Sequence, residues 1–146
     1  MIQSVAFIGL GAMGYRMAAH LVKHFDHVWV WNRNLSKAEA HAKQYGSQAV
    51  QLEQAVQADV IFSCLPTSQD VYDLIQRVTL KSGSVWVDCT SGVPETARLL
   101  HQQLKAQGIG FLDAPVSGQT IGAENGDDRW RYPRCRTRLT CDSMFW

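Results

Sequence analysis

The 146-residue chain is expected to fold as an α/β protein, a doubly wound parallel sheet of Rossmann type. Three observations predict it. Short β-prone apolar runs alternate with amphipathic helical stretches at the spacing of β–α–β units. Two of those runs, 59–65 and 85–89, are near-continuously apolar, as strands covered on both faces must be. The first run, Val5–Ile8, leads into Gly9, Gly11 and Gly14 at G-x-G-x-x-G spacing, and a helical pattern follows at once.

That opening unit carries the most chemistry. After it, Met13, Met17, Leu21 and Phe25 recur at helical intervals. Strand, glycine turn and helix form the context a dinucleotide fingerprint needs. Gly9 permits the tight turn, Gly11 leaves room for a pyrophosphate, and Gly14 lets helix and strand lie close. Free amides at the helix start and the helix dipole attract the anion.

The second strand is expected at 27–31. An NAD-binding unit places an Asp or Glu near its end, to bond the ribose 2′-hydroxyl. Here Asn32 and Arg33 follow instead. The Arg33 fork suits a 2′-phosphate, and Lys37 adds a second charge. NADP(H) is therefore expected in preference to NAD(H), which the same turn also accommodates.

Ser36 is expected to cap a helix over 37–45, with Glu39 completing a capping box and Gly46 ending it. A short strand is expected at 48–50 and one or two helical turns at 52–57. The apolar strand 59–65 stops at Pro66. Ser68 or Asp70 starts the next helix, with Val71, Leu74, Ile75 and Val78 on one face. Gly83 marks a turn before the buried strand 85–89. Pro94 suits a first helical turn, and that helix runs to Gly108, before a strand at 109–112. Ligands in such a sheet sit beyond the carboxyl ends of the strands. The segments at 9–14, 32–33, 65–66, 90–91 and 114–118 all follow strand ends.

Net charge is +1, so the whole-chain balance implies neither a nucleic-acid nor a membrane partner. No apolar stretch approaches the roughly 20 residues that span a bilayer, and the N-terminus lacks a signal peptide's basic region. Cys64, Cys89, Cys135 and Cys141 show no metal-ligand spacing; Cys64 and Cys89 read as buried free thiols. No metal site is expected, and a cytoplasmic location is.

These residues resemble the β-hydroxyacid dehydrogenase family, the group of 3-hydroxyisobutyrate dehydrogenase and tartronate semialdehyde reductase. Residues 7–14 resemble its opening signature. Asn32, Arg33 and Lys37 resemble its NADPH-preferring branch. Leu65-Pro66 and Asp88-Cys89-Thr90-Ser91 resemble the loops beside the nicotinamide. Residues 113–118, with Gly122, Ala123 and Gly126, resemble the substrate loop, the most specific match. The glycine fingerprint alone also fits 6-phosphogluconate dehydrogenase and imine reductases.

The resemblance implies cofactor contacts at Gly9, Leu10, Gly11, Ala12, Met13 and Gly14, at Asn32, Arg33 and Lys37, and at Leu65, Pro66, Thr90 and Ser91. It implies that Ser117 and Gly118 bind a substrate carboxylate. Gln119 stands where the family has glycine. The implied activity is hydride transfer between a nicotinamide cofactor and a small β-hydroxyacid or its aldehyde, in a homo-oligomer. The alternative is a dinucleotide-binding module without chemistry.

The family's catalytic lysine and C-terminal helical domain have no match here, so no catalytic residue is expected in this chain and the chain alone is expected to be inactive. The resemblance covers 1–126, the dinucleotide-binding domain. Residues 127–146 lack apolar periodicity and are rich in arginine. One permitted back-translation of Asp127 to Cys135 is GAT GAC CGT TGG CGG TAT CCT CGA TGC. Dropping the first base gives Met-Thr-Val-Gly-Gly-Ile-Leu-Asp, which resembles the family's next strand. The tail is thus expected to be a frameshifted reading.

Overall fold

The computed structural model describes residues 1–116. Among the described residues, six strands form one sheet: β1 (Val5–Ile8), β2 (Val28–Trp31), β3 (Gln48–Ala49), β4 (Val60–Ser63), β5 (Val85–Asp88) and β6 (Gly110–Asp113). Five helices connect them: α1 (Ala12–Val22), α2 (Leu35–Tyr45), α3 (Leu52–Ala55), α4 (Ser68–Gln76) and α5 (Pro94–Ala106). The strand order is β3-β2-β1-β4-β5-β6, and every pairing is parallel. The chain reverses direction across the sheet between β1 and β4. This is the topological switch point, where α/β sheets open a crevice.

β1 is central, and all four of its side chains are at most 1% exposed. Strand alternation sends Val5 and Phe7 to one face, and Ala6 and Ile8 to the other. The first face packs with Met17 and Ala18 of α1, Ala38 of α2, Val30, Phe62 and Val87. The second packs with Ile61, Trp86, Val71 and Leu74 of α4, and Leu100 and Leu104 of α5. Two-sided burial explains the unbroken apolar runs.

Most strand and helix ends differ from the sequence expectation by one or two residues, and β6 is shifted to Gly110–Asp113 from the expected 109–112. α2 starts two residues early, because Asn34 and not Ser36 is its N-cap. The Asn34 side chain accepts the Ser36 N–H at 3.1 Å. Ser68 is the first residue of α4, as expected, and Thr67 caps it. The Thr67 hydroxyl accepts the Asp70 N–H, and Asp70 accepts the Thr67 N–H in return. At its other end α4 stops at Gln76, so Val78 packs on the core from beyond the helix. Gly46 ends α2 in the left-handed conformation, φ +83. Cys89 is buried as expected, whereas Cys64 is only half-buried.

Candidate dinucleotide site

The site begins where β1 stops. Gly9 sits at φ +95, and a Cβ there would run into the Cys64 carbonyl. A Cβ on Gly14 would run into the Gly9 carbonyl. The fold itself therefore demands both glycines. Gly11 differs. Its backbone is extended, φ −73 and ψ −165, which any residue tolerates. A Cβ on it would meet nothing within 4 Å among the described residues. Packing among the described residues does not account for this glycine.

Directly above that opening, α1 starts without a side-chain cap and without an acidic residue in its first turn. Tyr15 is the first residue of α1 to close the helical pattern, its N–H donating to the Gly11 carbonyl at 3.0 Å. The amides of Ala12, Met13 and Gly14 thus precede the first helical bond, and positive potential gathers there. Leu10 behaves differently. Its side chain is 1% exposed, and its N–H donates to Asn32 Oδ1 at 2.9 Å.

Asn32 is a strut between two loops. Its Oδ1 holds the glycine turn, and its Nδ2 donates to the Asn34 carbonyl at 3.0 Å. Lys37, in the first turn of α2, lines a groove of about 640 Å³ together with Leu10, Gly11, Ala12, Tyr15 and Ser36. Arg33 is exposed and does not line that groove. No motif or spacing pointed to Tyr15, Gln44 and Tyr45, the groove's other end. They meet because the Tyr15 hydroxyl donates to Gln44 Oε1 and Gln44 Nε2 donates to the Tyr45 hydroxyl.

His41 fixes the spacing of α1 and α2, and it too escaped sequence reading. It is fully buried. Nε2 lies 3.0 Å from the Tyr15 carbonyl and Nδ1 2.7 Å from Ser47 Oγ. A carbonyl only accepts, so Nε2 donates and Nδ1 accepts from the hydroxyl. Burial lowers the pKa of this ring, which keeps it neutral.

The ends of β4 and β5 form the other flank. Trp86 Nε1 donates to Ser63 Oγ at 2.9 Å, and Ser63 Oγ donates to Asp88 Oδ1 at 2.8 Å. Asp88 Oδ1 also accepts the Thr90 N–H at 3.0 Å, and Thr90 Oγ1 accepts the Leu65 N–H at 3.0 Å. The chain of bonds sets the backbone at Leu65 and Thr90, while Pro66 and Ser91 are exposed beside it. Thr90 is 2% exposed and spends its groups on this network. Burial pushes the Asp88 carboxyl above its usual range, against the pull of the Thr90 and Ser63 bonds. Ser117, Gly118 and Gln119, like the 127–146 tail with Cys135 and Cys141, lie outside the described residues.

Among the described residues, no helix is long and apolar enough to cross a membrane. Residues 4–128 match the family model of the NAD binding domain of 6-phosphogluconate dehydrogenase. The chain is 37% identical over 131 residues to 3-hydroxyisobutyrate dehydrogenase of Pseudomonas aeruginosa, covering 84% of this chain and 43% of that one. It is 36% identical over 131 residues to the NAD-dependent L-serine dehydrogenase of the same organism, covering 86% and 44%. It superposes on Mycobacterium tuberculosis 3-hydroxyisobutyrate dehydrogenase, solved with L-serine, with a TM-score of 0.74 at 31% identity, covering 86% and 44%. The chain thus spans less than half the length of these relatives. Its parallel sheet, its glycine turn and these matches agree: it belongs to the β-hydroxyacid dehydrogenase family, through that family's NAD-binding domain.

Proposed function

We propose that this chain is the NADP(H)-binding part of an oxidoreductase that moves a hydride between the nicotinamide and a small β-hydroxyacid or its aldehyde. The carrying observation is the opening over Gly11, which the fold does not require, beside the uncapped start of α1. A pyrophosphate fits there in size and charge, held by the amides of Ala12, Met13 and Gly14. Lys37 from the groove wall and Arg33 from the exposed loop bind the 2′-phosphate. Asn32 holds the two loops at a fixed separation.

The nicotinamide, when bound, supplies or takes the hydride. Leu65, Pro66, Thr90 and Ser91 form the protein wall on its side, positioned by the Ser63–Asp88–Thr90 bonds. Ser117, Gly118 and Gln119 take the substrate carboxylate in this reading. The same reading puts the longer protein in the cytoplasm as a homo-oligomer, with the 127–146 tail read out of frame. The residues given match less than half of each relative, and no lysine among them corresponds to the family's acid/base. This chain alone is therefore expected to show no appreciable turnover.

Calorimetric titration with NADPH and with NADH tests the proposal. NADPH is expected to bind more tightly, and Arg33→Ala and Lys37→Ala are each expected to narrow the gap by about 1–2 kcal/mol, a charge-assisted contact's worth. Absence of binding by either nucleotide, in a chain that melts cooperatively, refutes the proposal. Equal affinity for both refutes the assignment to Arg33 and Lys37. Turnover of 3-hydroxyisobutyrate by this chain alone refutes its expected inactivity.

A further inference from the structure

We propose that Cys64 and Cys89 form a redox pair at the mouth of the candidate site, and that a peroxide converts them to a disulfide that weakens nucleotide binding. The chemical half of this proposal stands independently; its regulatory half rests on the nucleotide reading above.

The pairing comes from the sheet register. β4 and β5 are parallel neighbours, with Ser63 opposite Asp88. The Cys89 N–H donates to the Ser63 carbonyl at 2.8 Å. The pairing therefore continues one residue past both strands and brings Cys64 level with Cys89. Strand alternation puts both side chains on one face, and both contact the same apolar cluster, beside Phe62 and Val87. Neighbouring strands lie about 4.8 Å apart, within the roughly 4.4–6.8 Å between Cα atoms that a disulfide spans. Neither cysteine is in a disulfide. Cys64 is half-buried and reachable from solvent, whereas Cys89 is 1% exposed. An accessible attacking thiol beside a sheltered resolving thiol is the arrangement that redox-sensing pairs use.

The chemistry balances with peroxide as the named oxidant. The Cys64 thiolate attacks one peroxide oxygen. The O–O bond breaks, and the leaving hydroxide takes a proton to become water. The Cys89 sulfur then attacks the resulting sulfenic sulfur, the S–O bond breaks, and the oxygen leaves as a second water. Two thiols lose two electrons and two protons in all, and peroxide is reduced to two waters.

The consequence follows from what surrounds Cys64. The Cys64 carbonyl and the Leu65 side chain are the atoms a Cβ on Gly9 would strike, so they form the floor under the glycine turn. The Leu65 N–H is tied to Thr90, next to Cys89. Drawing the two strand ends together by a covalent bond shifts that floor and the amides above it.

The test uses the whole chain. It is treated with hydrogen peroxide, capped with N-ethylmaleimide and digested with trypsin without reduction. Cys64 falls in peptide 44–77 and Cys89 in peptide 82–98. A linked 44–77/82–98 species, two hydrogens lighter than the separate peptides and abolished by dithiothreitol, is expected. Bound NADPH is expected to slow its formation. Cys89→Ser is expected to leave Cys64 as a sulfenic acid that dimedone traps. The linked protein is expected to bind NADPH at least tenfold more weakly than the reduced one, the loss of about one charge-assisted hydrogen bond. Recovery of both cysteines as maleimide adducts, or links only to Cys135 or Cys141, overturns the pairing. Unchanged affinity of the linked protein overturns the regulatory half. Reduced protein that binds no nucleotide sinks the nucleotide reading instead, and the peptide map still decides the pairing.

Discussion

Replacing Gly11 by alanine separates a glycine kept for a ligand from one kept for the fold. At φ −73 the new side chain meets no backbone strain, and nothing among the described residues lies within 4 Å of its Cβ. Folding stability is therefore expected to hold within about 0.5 kcal/mol, or to rise by about 0.4–1 kcal/mol as the unfolded chain loses freedom. Nucleotide binding is expected to suffer, because the methyl occupies the space where the pyrophosphate oxygens approach the Ala12 and Met13 amides. Losing one hydrogen bond to a charged group costs about 1.5–3 kcal/mol, roughly a 10- to 150-fold rise in Kd. Gly9→Ala is the control. It places a Cβ against the Cys64 carbonyl at φ +95, and strain of that kind costs about 1–3 kcal/mol before the clash is counted. Thermal melts and NADPH titrations on both variants give the readout. If Gly11→Ala binds NADPH as tightly as the parent chain, the pyrophosphate does not lie over Gly11 and the reasoning fails. If it unfolds like Gly9→Ala, Gly11 is structural and the argument from unexplained space is wrong.

Other outcomes follow from the charged and buried groups. The Lys81 ammonium and the amides of Gln3 and Ser4 hold the Asp59 carboxyl down to about 2, against 3.8 for an ordinary Asp. Its contribution is complete above pH 3.8 and is lost as pH falls towards 2. With its side chain 22% exposed and screened by water, that contribution is about 1 kcal/mol. Asp59→Asn is expected to flatten acid melting in this window, and an unchanged slope contradicts the assignment. His41 has a lowered pKa, so the unfolded chain takes up its proton first and stability falls as pH drops below 6.5. His41→Leu is expected to remove that slope while costing about 1–3 kcal/mol for the stranded Ser47 hydroxyl; urea titrations at pH 7.5 and 5.5 measure both effects. Asp88 has a raised pKa, so its ionisation lowers stability as pH rises through the window above 3.8. Asp88→Asn keeps the acceptor without the charge and is expected to melt at or above the parent's temperature at neutral pH. Asp88→Ala strands the Ser63 hydroxyl and the Thr90 amide, and is expected to cost about 1–3 kcal/mol. Equal melting of the two variants counts against the network.

The elements were legible because their signals are local. The apolar runs at β1, β4 and β5 show on the chain as soon as one asks which strands are covered twice. Pro94 and Gly46 mark a helix start and a helix end by backbone chemistry alone. The cap of α2 was misread, because two candidates stand within two residues of each other. Asn34 won over Ser36 as the cap of α2, because the side chain that reaches the free amides depends on the approach angle of the preceding loop.

The α/β alternation and the glycine turn are written locally, in periodicity and spacing that need no partner from elsewhere in the chain, and the family shows in the resemblance of whole motifs. What holds each glycine emerges only in the folded chain. Gly9 and Gly14 are held by atoms of Cys64 and of the turn itself, and Gly11 by none among the described residues. Folding alone likewise turned Asn32 into a strut, buried His41 between two helices, and set Cys64 beside Cys89. Those facts depend on contacts between residues 22 to 26 positions apart, and such distances close only when the sheet forms.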